Sequence, residues 1–158
     1  MQREVLAAQE RELGADHPDT LATAGDLANT LSDQGKLAEA EKMQREVLAA
    51  QERELGADYP STLTTASNLA DILSQQGKFA EAEKIERKVL AAQERELGAD
   101  HVETLTTANN LADILSNQGK HAEAEKMQRE VLAAQKRELG ADHPDTVTTA
   151  GNLSDSKL

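Results

Sequence analysis

The sequence predicts an all-α fold: an α-solenoid of antiparallel helix pairs, with about three full 42-residue repeats and a half repeat at each end. Three observations predict it. The joint Leu55-Gly56-Ala57-Asp58-Tyr59-Pro60 recurs as LGADHP at 13–18, LGADHV at 97–102 and LGADHP at 139–144, a period of 42 residues. A second joint, Gln-Gly-Lys at 34–36, 76–78 and 118–120, falls midway, so glycines from Gly14 to Gly140 mark every 21 residues. Blocks 1–42 and 43–84 are identical at 33 of 42 positions, as are blocks 43–84 and 85–126. Self-similarity at a fixed period marks units that bury their apolar faces only by stacking on one another.

The expected map is a single repeat domain over 1–158: a partial second helix at 1–14, full helix pairs at 15–56, 57–98 and 99–140, and a terminal first helix at 141–158. In the second block the first helix is expected at roughly 60–76, with Leu63, Ala66, Leu69, Ala70 and Leu73 at helical spacing on one face. Asp58 is its expected N-cap, with Ser61, Asp19, Glu103 or Asp145 close behind as in a capping box. Pro18, Pro60 and Pro144 fall in the first turn, where a missing N–H costs nothing, and Gly77 ends the helix in a left-handed C-cap. The second helix, roughly 78–97, carries Phe79, Ala82, Ile85, Val89 and Ala92 on a stripe that Leu90 and Leu97 widen. Glu41 and Arg45, Glu83 and Arg87, and Glu125 and Arg129 are i,i+4 pairs in the favoured order.

A long coiled coil is the competing reading, because 42 is six heptads and Ala, Glu, Lys and Leu abound. A glycine every 21 residues, with proline at alternate breaks, limits each helix to a few turns and forces hairpins instead. The ends are asymmetric. Met1 stands in the middle of a second helix, so the N-terminus reads as cut from a longer array or made to be completed by another chain. At the other end Ser154 replaces the core Ala70 and Lys157 replaces Leu73, as a polar cap requires.

Composition narrows the function classes. With one Phe, one Tyr and no Trp, the core is built from Leu, Ala, Val, Ile and Met, which suits thin, locally packed layers. A net charge of −12 argues against nucleic acid or an anionic membrane as partner, since both need clustered Lys or Arg. No cysteine means no disulfide or thiolate chemistry. No apolar run approaches a membrane span or a signal core, which leaves the cytoplasm as the default compartment.

No catalytic, cofactor or metal site is expected. His17, His101 and His143 occur once per joint, with Tyr59 in the remaining copy, and no second His or any Cys stands at ligand spacing beside them. They read as joint residues. His121 occupies the site of Leu37 and Phe79, a packing position that tolerates exchange. Met1, Met43 and Met127 alternate with Ile85 at one position of the second helix, where core packing explains them. Phosphate loops, activated nucleophiles and isolated carboxylate pairs are not found, so no enzyme is expected.

The run NLADILSQQGKFAEAE, with Asn68-Leu69-Ala70, Gly77, Ala82 and Val89-Leu90, resembles the tetratricopeptide repeats, and the resemblance covers essentially the whole chain. The usual unit has 34 residues. The 42-residue unit with an LGxDHP joint is similar to the subtype found in kinesin light chains and related bacterial and algal arrays. The resemblance implies a right-handed superhelix whose first helices line a concave groove. The core departs from the usual pattern, because Ala66 and Leu73 stand where bulky aromatics are common.

Placing residues at 100° intervals sets Asp26, Asn29 and Asp33 opposite the apolar stripe; the equivalents are Asn68, Asp71 and Gln75, then Asn110, Asp113 and Asn117, then Asn152 and Asp155. By resemblance, Asn68, Asn110 and Asn152 stand where the family often uses Asn to hold an extended peptide's backbone. Relatives that grip acidic ligands use Lys or Arg there, yet 18–34, 60–76 and 102–118 contain neither. The expected function is a protein-interaction scaffold that binds a neutral or basic peptide or helix. The alternative is a structural module that stacks head to tail through its end faces into a homo-oligomer.

Overall fold

A computed structural model describes residues 2–156, with side chains through 153, and contains eight helices among them. They are α1 (Gln2–Glu12), α2 (Pro18–Asp33), α3 (Leu37–Glu54), α4 (Pro60–Gln75), α5 (Phe79–Glu96), α6 (Val102–Asn117), α7 (His121–Glu138) and α8 (Pro144–Ser156). The exchanges at Ser154 and Lys157, the side chain of Asp155 and residue Met1 lie outside the described residues. The chain divides into two compact units, Met1–Lys78 and Phe79–Leu158. In the first, α1 packs on α2, α2 on α3 and α3 on α4; in the second, α5 packs on α6, α6 on α7 and α7 on α8.

Both joints work through backbone geometry. After α2, the Lys36 N–H donates to Leu31 C=O and the Gly35 N–H to Ser32 C=O, both at 2.9 Å, while Gly35 takes φ +80°. This is a Schellman end, and it satisfies carbonyls the helix leaves open. Lys78 and Gly77 close α4 in the same way, with Gly77 at φ +81°. Any Cβ there would be strained, which fixes glycine at the 21-residue beat.

The other joint departs from expectation. The N-caps of α2, α4 and α6 are His17, Tyr59 and His101, one residue after the position of Asp58. In the histidine copies the imidazole does the capping: Nδ1 of His17, His101 and His143 accepts the backbone N–H of Asp19, Glu103 and Asp145 at 3.1, 3.2 and 3.2 Å. That satisfies one orphan donor of the first turn, the job an Asn or Asp oxygen usually does. Tyr59 makes no such bond.

Cores are thin and local. In the first unit Leu27, Leu31, Ala40 and Ile72 form one cluster, and Leu21, Val47 and Ala50 another. In the second unit the counterparts are Leu111, Ala112, Leu115 and Ala124, then Leu105, Ala108, Val131 and Ala134. Of the stripe expected on the first helix, Leu69, Ala70 and Leu73 are fully buried, but Leu63 and Ala66 are only half-buried. Thr62, Thr65 and Ile72 are buried as well, because that helix is covered from more than one side. On the second helix Leu97 is exposed, not part of the stripe, since it follows the last turn of α5. Among the described residues no helix is long and apolar enough to cross a membrane.

Candidate functional site

The residues of the polar stripe all fall on first helices. Asp26, Asn29 and Asp33 are on α2; Asn68, Asp71 and Gln75 on α4; Asn110, Asp113 and Asn117 on α6; Asn152 on α8. All are exposed except Asn68 and Asn152, which are half-buried. In the first unit Asn29, Ser32 and Asp33 of α2 and Asn68, Asp71 and Ile72 of α4 line one open depression of about 170 Å³. Four of the stripe residues thus meet across two helices. Gln75 closes the gap by donating from Nε2 to Asp71 Oδ2 at 3.1 Å and to Ser32 Oγ at 3.3 Å. Asn29 is held from below, since the buried Gln44 of α3 donates to its Oδ1 at 3.1 Å. Asp26 lies outside the depression.

In the second unit Asn110, Asp113 and Asn117 share α6. Although Asp113 is exposed, the protein packed around it partly desolvates its carboxyl and pushes it above its ordinary value. The neighbouring Asn109 donates to Thr149 of α8 at 3.0 Å and ties the two first helices together. Chemically the stripe offers carboxylate and amide oxygens, amide N–H groups and no cation. It can accept from ammonium, guanidinium or peptide N–H groups and donate to peptide carbonyls. Among the described residues no group of three or more His, Cys, Asp or Glu could hold a metal ion.

A second constellation combines pairs the sequence shows with partners it does not. Glu41 of α3 accepts from Arg45 at 2.8 Å, as i,i+4 spacing requires, but also from Gln76 at 2.8 Å and Lys78 at 2.9 Å in the Gln-Gly-Lys joint after α4. Glu83 of α5 repeats this with Arg87, Gln118 and Lys120, at 2.8, 2.7 and 3.0 Å. Arg45 first, then Lys78 and Gln76, lower the Glu41 carboxyl to about 2; Arg87 first, then Gln118, lower Glu83 to about 2. The signal was the recurrence of Gln and Lys around each glycine, which the glycine's own role had masked.

The tetratricopeptide repeat family model matches residues 1–53, 22–95, 61–137 and 103–158, which together span the chain. The chain belongs to the tetratricopeptide repeat family. Solved structures agree. It is similar to a protein from Podosopora anserina assigned as a putative kinesin light chain with nearly identical TPR-like repeats, at 28% identity and a TM-score of 0.86, over 98% of this chain and 74% of that one. A form of that protein with one substitution superposes with a TM-score of 0.88, at 28% identity, over 98% of this chain and 73% of that one. BtubC (BKLC) from P. vanneervenii matches at 24% identity and a TM-score of 0.85, over 98% of this chain and 62% of that one, a likeness of fold alone. No curated protein matches significantly. The fold is therefore the tetratricopeptide solenoid, and repeats of this family generally serve as protein-interaction scaffolds.

Proposed function

We propose that this repeat protein is a non-catalytic scaffold, acting as one domain over 1–158, that binds a neutral or basic peptide or helix along the acid and amide stripe of its first helices. The observation that carries the reading is the depression where Asn29, Asp33, Asn68 and Asp71 converge with no basic residue on α2, α4 or α6. Amide groups supply the paired donor and acceptor that an extended backbone needs, while carboxylates favour a cationic side chain and speed its approach. The raised Asp113 carboxyl supports the same sign, because a bound cation relieves a desolvated negative charge. The net charge of −12 works against nucleic acid and anionic membranes as partners.

Fluorescence anisotropy with lysine-bearing and glutamate-bearing extended peptides tests it. The lysine peptide binds more tightly at low salt, and Asp33→Asn with Asp71→Asn weakens it about three- to tenfold. Tight, salt-sensitive binding of the glutamate peptide overturns the reading.

A specific observation favours a second reading, head-to-tail self-assembly. Val5 of α1 is 45% exposed although its counterpart Val47 is 3% exposed, and Val147 of α8 is 56% exposed although its counterpart Leu105 is 5% exposed. Inside the chain these two positions cover each other, as Leu21 does Val47 and Leu105 does Val131. A second copy supplies each exposed valine with the partner that the internal pairs already use.

A further inference from the structure

Each unit carries a concavity away from the polar stripe. In the first unit it is about 340 Å³, walled by the second helices α1 and α3, with the start of α2 as floor. In the second unit the same walls, α5 and α7 over α6, enclose about 310 Å³. Register makes them equivalent: Leu6, Leu21, Met43 and Val47 in one correspond to Leu90, Leu105, Met127 and Val131 in the other. Thr20 and Ala24 of α2 line the first pocket and lie nine residues before Asn29 and Asp33 of the stripe. Nine residues at 100° each is a rotation of about 180°. The pockets therefore open on the face of the first helix opposite the stripe.

Three features give the pocket a ligand chemistry. Its floor is aliphatic. Its rim carries Glu10, Asp16 and Glu46 against Arg53, repeated as Glu94, Asp100 and Glu130 against Arg137. Arg53 faces Asp16 at 3.6 Å and Arg137 faces Asp100 at 3.4 Å, which leaves both glutamates of each rim without an ion pair among the described residues. Thr20 and Thr104 line the two pockets at 1% and 2% exposure, and neither hydroxyl has a hydrogen-bond partner. A buried hydroxyl without a partner is costly and favours any ligand that brings one.

We propose that each of these pockets is, within its own unit, a docking site for a basic, amphipathic partner segment, taking the aliphatic stem of one lysine or arginine and holding its cationic head between the two rim glutamates. The stem suits the aliphatic lining, and two unpaired carboxylates match one cation better than a neutral or acidic group. Nothing in this depends on the stripe of the first helices.

Methionine labelling reads the surface directly, because Met43 lines one pocket and Met127 the other. The probe is a short acetylated peptide of leucine and lysine, with a peptide of leucine and glutamate as control. The lysine peptide shifts the Met43 and Met127 methyl resonances, and Glu46→Lys with Glu130→Lys weakens its binding about tenfold. Lysine is at home there, since Lys88 occupies that position in α5; Glu46→Gln with Glu130→Gln is the milder variant and weakens binding in the same direction. Asp33→Asn with Asp71→Asn leaves the methionine shifts intact, which separates this surface from the stripe. Unmoved resonances at saturation, equal shifts with the glutamate peptide, or full binding by both glutamate variants overturns the proposal.

Discussion

The histidine of the joint is an N-cap, and its absence from one repeat makes the cap measurable. His17, His101 and His143 each take one first-turn N–H on Nδ1, whereas Tyr59 takes none. The backbone there already has the extended cap conformation, φ −67° and ψ 139° at Tyr59 against −67° and 144° at His101. Tyr59→His therefore adds a hydrogen bond without moving the chain. The expected gain is about 0.5–1 kcal/mol, read as a higher midpoint in urea with an unchanged slope. An unchanged midpoint means the imidazole bond contributes nothing to α4. Sequence alone pointed to Asp58 because aspartate is the commoner cap, and histidine is not among the residues preferred there. Glu86 escaped notice for a related reason: it holds a fully buried position that Gln44 and Gln128 fill elsewhere, and nothing in the periodicity separates it from a surface glutamate.

Helices and turns were legible because they follow from local chemistry. Seven glycines at positive φ and prolines at N1 delimit elements within a residue or so of the periodicity's bounds. What was not legible is the bonding between elements, where Glu41 and Glu83 each hold a joint 35 to 37 residues further on. These bonds carry a pH dependence with a definite sign. Both carboxyls are depressed from 4.5 to about 2 in the folded chain, so their contribution is fully present above 4.5 and is lost as pH falls towards 2. Glu41→Gln with Glu83→Gln is therefore less stable than the parent at neutral pH, by about 1 kcal/mol per site once solvent screening is allowed for. The gap narrows on acidification through that window. Thermal unfolding at a series of pH values checks it, and a gap that is constant with pH rules out the electrostatic account. The stripe was legible as a face but not as a depression, since the contacts that bring α2 and α4 together there, Gln75 with Ser32 and Ile72 with Leu27 and Leu31, join residues some forty positions apart.

At the scale of the whole molecule, repetition makes the end faces copies of internal ones. Residues 2–12 of α1 read QREVLAAQERE, identical to 44–54 of α3, and α3 packs on α2 through Val47 and Ala50 against Leu21. The α8 counterpart of Leu21 is Val147, so the contact between α8 of one copy and α1 of another has an internal template. Covering the two half-exposed valines contributes about 1 kcal/mol each, against the repulsion of two chains at −12. The head-to-tail reading therefore predicts association of the 158-residue chain that is weak at low salt and grows with salt and concentration. The contact is heterologous, one face meeting a different one, and that gives it a signature. Val5→Glu disables only the α1 face and Val147→Glu only the α8 face. Each variant alone stays monomeric in light scattering, whereas a one-to-one mixture forms dimers and nothing larger, because one intact face of each kind remains. If both variants associate as the parent does, or the mixture stays monomeric at concentrations where the parent grows, the end faces are not what joins the chains.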